Sequence, residues 1–388
     1  MTVVLEKRDL PVVSVSITNK FGAAFEDSDV KGIAHVIEHL LFTGTKTRTH
    51  EDISREIEKK GGILNAFTSH EVTSYWFKLP SEHLFSGLDI LSDMLNNPIF
   101  REDKFEKEKK VILEEIKMLH DDPQKDVLNL IEKNLYDEPF GELVIGNKES
   151  VSSLKRDFVV DYFDKNYGTN NLFVVAVGDA DFDKLCDYFE KKFVKKIRDI
   201  KIKNIKQKNS EFIETRDGID QANFVFAFHS PLIKDKDYAA IEILNSYLAS
   251  GMSSKLFLKI REEKGLAYTV RGSVNAEKNY SYYSIYVGTT KEAVPLVKKI
   301  ILEEFSKVEK EMSEKDLEEA KNELIGERQV RSEESVGVMN NLIFYELNGD
   351  ASNYYKFDEL VKKVKLSDVK KLSKIKEGKY SIVAIVPK

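Results

Sequence analysis

The sequence has a single cysteine, Cys186, among its 388 residues, so an intrachain disulfide is excluded as a source of stability. Long apolar runs are also missing. No stretch approaches the roughly 18 uninterrupted apolar residues of a membrane-crossing helix, and no membrane partner is expected. The opening segment Met1–Arg8 has no apolar core of the length a secretory signal needs, which makes the cytoplasm the expected location. Neither sign of charge dominates. A net charge of −6 gives no electrostatic footprint for nucleic acid, and the basic runs between Lys191 and Lys208 are short enough to read as solvated linker. What remains is a hydrophobic content of 41%, enough for sizeable cores, in a chain long enough for two or more domains.

Histidine is scarce, with only 7 in the chain, and two of them stand together in His35-Val36-Ile37-Glu38-His39. Residues three and four apart share one face of a helix, so His35 and His39 can hold one metal ion while Glu38 reaches a water on it. This is the inverted order, H-x-x-E-H, of a zinc hydrolase motif. With so few histidines, composition alone produces it on the order of one time in a hundred. A catalytic zinc needs a third protein ligand. The stretch Glu102 to Met118 reads as a helix with an apolar stripe at Phe105, Ile112 and Ile116, and it offers several carboxylates. Glu108 and Glu115 lie seven apart on one face, whereas Glu114 is about 100° round the cylinder. The spacing leaves the choice among these glutamates open.

Taken together, His35, Glu38, His39, Glu108 and Glu115 resemble the pitrilysin/insulinase family of zinc peptidases, in particular its half-length branch related to mitochondrial processing peptidase. The resemblance implies one Zn²⁺ per chain, with Glu115 as third ligand and Glu108 in support. It extends to Gly61-Gly62 and the β-rich run that follows to Phe77, where it implies an edge strand, with Asn65, Ala66, Phe67 and Thr68, that takes the peptide substrate as an added strand. Further on, Arg261 and Tyr268 are similar to the family's arginine and tyrosine pair, which the resemblance implies would hold substrate and stabilise the tetrahedral intermediate. The loop Asn19 to Asp27 lacks the family's usual Gly-Ser-Arg-like run.

An internal repeat sets the architecture. Residues 57 to 64, IEKKGGIL, echo residues 260 to 267, IREEKGLA, at an offset of 203. A β-run at Val12 to Ile17 precedes the His35 helix, and one at Asn223 to Phe228 precedes a helix around Tyr238 to Leu248. Each half ends on another β-run, Leu172 to Val177 and Tyr380 to Val386. The expected fold is α+β, two tandem and structurally similar α/β-sandwich domains covering residues 1–205 and 206–388. The second half has no H-x-x-E-H, so zinc is expected in the first only. The resemblance implies half of a clamshell, completed by a homodimer or by pairing with a related chain, and closing a chamber around unfolded or short peptides. The expected activity is zinc metalloendopeptidase, with Glu38 as general base. The alternatives are a non-catalytic, partner-stabilising subunit and a metal-dependent hydrolase of other substrates.

Overall fold

Runs rich in Val, Ile, Phe and Tyr, which favour extended backbone, become ten strands in two five-stranded sheets in a computed structural model that describes residues 1–388. The first sheet contains β1 (Thr2–Lys7), β2 (Val12–Asn19), β3 (Ile63–Thr68), β4 (Thr73–Pro80) and β5 (Leu172–Gly178), in the order β1-β5-β2-β4-β3. The second contains β6 (Glu211–Arg216), β7 (Ala222–His229), β8 (Ala267–Ala276), β9 (Ser281–Thr289) and β10 (Ser381–Pro387), in the order β6-β10-β7-β9-β8. One pair in each is parallel, β1 with β5 and β6 with β10, and the others are antiparallel. The two sheets therefore share one topology, strand for strand, as the repeat requires.

The chain divides into two units. One comprises Met1–Met118, Glu142–Asn204 and Ser332–Leu347, the other Leu119–Gly141, Ile205–Arg331 and Asn348–Lys388. In the first unit, α1 (Ile33–Leu41), α2 (His50–Glu58), α3 (Leu84–Asn96) and α4 (Glu102–Asp121, up to Met118) accompany the sheet. A helix from late in the chain, Ser335–Leu347, packs on β5 and β2. In the second unit, α5 (Pro123–Leu135), from early in the chain, packs on β10 and β7. Each unit thus borrows a helix across the sequence midpoint. Both loans are secured alike, by an arginine placed two residues after a glutamate at the end of the parallel edge strand. Arg8 is held by Glu6 at 2.7 Å and donates to the Ser332 carbonyl at 2.8 Å. Arg216 is held by Glu214 at 2.8 Å, donates to the His120 carbonyl and pairs with Asp126 at 2.7 Å.

The run Leu64 to Phe77 forms two strands where the sequence suggests one. The chain reverses at Ser69–Val72, so that β3 is the sheet edge while β4 lies inside, paired with β2. The hairpin is preceded by a turn at Gly61, whose φ of +74° favours glycine. Its counterpart is Gly265, at φ +62°. The helix before the first turn is α2; before the second it is a short helix, Lys255–Phe257, continued by a π-helical turn, Leu258–Glu263. That turn absorbs one extra residue. The Gly62 amide closes on the Ile57 carbonyl at 3.1 Å, and the Leu266 amide closes on Ile260, one residue further back, at 2.9 Å.

Candidate metal and catalytic centre

The site begins with the entry to α1. Gly32 precedes the helix with φ +93°, and a Cβ there would meet the Ile145 carbonyl oxygen at 2.5 Å, so only glycine fits. The first amides of the helix are satisfied by Glu26, which is fully buried and accepts from Gly32 N–H at 2.9 Å and Ala34 N–H at 2.7 Å. Lys31 stands 3.9 Å away and donates to the Ala23 carbonyl at 2.8 Å. Burial pushes the Glu26 carboxyl up to about 7, against the opposing charge of Lys31. The inner face of α1 carries Ile33, Val36, Ile37 and Leu40 into the core. With these fixed, His35, Glu38 and His39 emerge on the other side.

One ligand atom each from His35, His39 and Glu115 lies within 4.8 Å of the others. Glu115 Oε2 is 4.0 Å from His35 Nε2 and 3.6 Å from His39 Nε2. Two donors about 2.1 Å from a tetrahedral ion stand about 3.4 Å apart, so the set needs only small adjustments to fit zinc. Burial, reinforced by His39, pushes the His35 imidazole down to about 3, which keeps it neutral as a ligand must be. His39 Nδ1 lies 3.2 Å from Glu108 Oε2, an arrangement that puts its proton on Nδ1 and turns Nε2 toward Glu115. Burial alone would lower the His39 pKa. The Glu108 hydrogen bond and the charges of Glu115 and Glu38 outweigh it and raise the value. The adjacent Glu114 points away, exposed and paired with Lys117 at 2.6 Å.

Glu38 is turned toward the end of β3, where its Oε2 accepts the Thr68 hydroxyl proton at 2.5 Å. Burial raises its carboxyl above the usual carboxylate range, an effect that the Thr68 bond and His39 oppose. The other strand residues, Asn65, Ala66 and Phe67, continue along the sheet edge. Asn65 Oδ1 accepts from the Ala66 amide at 2.8 Å, so a side chain covers one main-chain donor of this edge. A cavity of about 260 Å³ adjoins Glu38 and His39 and is walled by Phe42, His50, Leu64 and Ala66. The sequence reading did not single out Glu26, Phe42 or His50. A glutamate ahead of a glycine-started helix is the only available signal for Glu26, and it is a common one.

Arg261 and Tyr268 belong to the second unit and meet there. The Arg261 guanidinium carbon is 4.8 Å from the Phe257 ring centre and 5.0 Å from that of Tyr268, a stacked arrangement. Tyr268 is 75% exposed, so its phenol is available to a partner. The helix of this unit that follows β7, Tyr238–Ala249, has no histidine, but it does carry Glu242. Glu242 stands as many residues before Gly265 as Glu38 does before Gly61.

Residues 2–148 match the family described as insulinase (peptidase family M16), and residues 153–324 match the one described as the peptidase M16 inactive domain. The chain is 32% identical over 318 residues to an uncharacterized zinc protease of Rickettsia felis, covering 80% of this chain and 76% of that one. It is 30% identical over 318 residues to the uncharacterized zinc protease YmxG of Bacillus subtilis, covering 81% and 78%. In fold it is similar to a protease from Helicobacter pylori, with a TM-score of 0.91 at 23% identity over 99% of this chain and 97% of that one. A structure from Pseudomonas fluorescens described as a peptidase M16 inactive domain gives 0.88 at 20% identity, covering 100% and 95%.

Proposed function

This chain belongs to the insulinase family of peptidases, M16, and we propose that it is a zinc metalloendopeptidase acting on unfolded or short peptides. The observation that carries this reading is the convergence of His35, His39 and Glu115 within 4.8 Å beside the Glu38 carboxylate. The naming of similar chains as zinc proteases supports it. When bound, zinc supplies Lewis acidity, which lowers the pKa of a coordinated water to about 7.

Every other part of the reaction belongs to the chain's own residues. The peptide lies along the β3 edge, where main-chain pairing gives affinity without demanding a sequence. Its neighbouring side chain enters the cavity beside Phe42 and His50. Thr68 occupies Glu38 Oε2, so Glu38 takes the attacking water's proton at Oε1 and then delivers it to the leaving amine. Glu108 keeps His39 in one tautomer throughout. Arg261 and Tyr268 donate to the carbonyl oxygen as it gains charge, and in this reading they reach the site of a second chain in a homodimer or a pair of related chains. The proposed place of action is the cytoplasm, where an unpaired Cys186 is unremarkable.

Substituting Glu38→Gln tests the mechanism. The variant is expected to keep one zinc per chain and to bind peptide, while turnover falls by about three orders of magnitude or more, because an amide cannot accept the proton. Near-wild-type turnover by the purified variant would sink the assignment.

A further inference from the structure

We propose that Thr68 is a positioning residue for the reaction, its hydroxyl fixing the Glu38 carboxylate relative to the strand on which the peptide is seated. The proposal rests on the peptidase reading above and goes beyond it, because it assigns a task to a side chain of the substrate strand.

The Thr68 hydroxyl has one proton, and two acceptors stand near it. Glu38 Oε2 is 2.5 Å away and Thr73 Oγ1 is 3.5 Å away. The nearer acceptor also carries charge, and a bond of that kind is roughly twice as strong as a neutral one, so the proton goes to Glu38. Thr73 does not compete as a donor, since its own hydroxyl is given to the Phe21 carbonyl at 2.9 Å. Threonine is stiff at χ1, which suits it to holding a second group in place.

The backbone under Thr68 is fixed as well. Thr68 is the last residue of β3, in register with Thr73 of β4. The next two carbonyls are taken by the loop ahead of α1, Ser69 by Ala23 N–H at 3.0 Å and His70 by Ala24 N–H at 2.7 Å. Gly22 lies so close that a Cβ there would meet the Ser69 carbonyl oxygen at 2.3 Å. That loop also carries Glu26, the cap of α1. The strand that would seat the substrate and the helix that bears the base are thus joined twice, through Glu26 and through Thr68. A peptide paired in register along β3 is thereby placed relative to a carboxylate whose free oxygen already has a fixed direction.

The test uses the 388-residue chain loaded with zinc and a fluorogenic peptide. Thr68→Val keeps the shape and removes the hydroxyl; Thr68→Ser keeps the hydroxyl. We expect Thr68→Val to keep its zinc and its KM within about threefold while kcat falls about 10- to 100-fold, and Thr68→Ser to recover most of that loss. In the Glu38→Gln background the same Thr68→Val change should have little further effect on residual kcat, because the group it positions is already gone. An unchanged kcat in Thr68→Val, a Thr68→Ser as slow as Thr68→Val, or equal losses in both backgrounds would overturn the proposal. If the wild-type chain binds zinc but cleaves no peptide, the peptidase reading fails instead. The crystal structure of zinc-loaded Thr68→Val then decides for Thr68: a rotated Glu38 carboxylate supports it, and an unmoved one refutes it.

Discussion

The two neighbouring glutamates of α4 show how much depends on a single side chain's direction. Glu115 faces His35 and His39, Glu114 faces Lys117 and solvent, and one residue of rotation about the helix separates the two fates. Glu115→Ala should therefore weaken zinc binding by more than about 100-fold, as the loss of one of three ligands. Glu108→Ala removes only the partner of His39 Nδ1 and should cost about 10- to 100-fold. Glu114→Ala should leave affinity unchanged. Competition with a chromogenic chelator ranks the three, and a Glu114→Ala chain that loses zinc while Glu115→Ala keeps it would show that the helix is read in the wrong register. The juxtaposition of His35 and His39 was legible in the sequence because residues four apart share one helix face. Glu26 and the bond from Thr68 to Glu38 were not, since each joins residues that only folding brings together.

At the scale of elements, the helices α1 and Tyr238–Ala249 occupy the same place in two sheets of one topology and have diverged in chemistry. The first presents two histidines and a carboxylate; the second has no histidine and carries Glu242, whose carboxyl burial pushes up to about 7 despite the Tyr238 hydroxyl and the Arg328 charge. A raised native pKa means that the folded state binds the proton more tightly than the unfolded one. The stability this group contributes is full below its ordinary value of 4.5 and is lost as pH rises through about 7. The shift corresponds to at most about 3 kcal/mol. Glu242→Gln should consequently flatten the fall in unfolding free energy between pH 5 and pH 8, measured by urea denaturation. Parallel curves for variant and wild type would show that Glu242 is not protonated in the native state. The strands β2, β5, β7 and β10 and both helices were legible, because apolar periodicity marks elements well, whereas β1, β6, β8 and β9 were not singled out. The hairpin at Ser69–Val72 was missed. Its turn, Ser-His-Glu-Val, has neither glycine nor proline to punctuate it, and β-favouring residues flank it on both sides.

For the whole molecule, the repeat in the sequence foretold two similar sheets, but nothing in the chain's composition marks which helices change sides. Helix Ser335–Leu347 and α5 are held by Arg8 and Arg216, and those bonds span hundreds of residues in one case and about a hundred in the other. In the proposed reaction, the question at this scale is where Arg261 and Tyr268 act. Tyr268 is 75% exposed and stacked only with its own neighbour Arg261, so its phenol can serve a second copy of the chain. If the active site is shared, an inactive Glu38→Gln chain and an inactive Tyr268→Phe chain should rescue each other. In a two-fold heterodimer one site combines the intact Glu38 of one chain with the intact Tyr268 of the other, and the second site carries both lesions. Random exchange makes half of the dimers mixed, so about a quarter of wild-type activity should return. A site built within one chain predicts no recovery, because every site keeps its own lesion. Mixtures shown by native mass spectrometry to contain the heterodimer, yet no more active than the separate variants, would exclude the shared site.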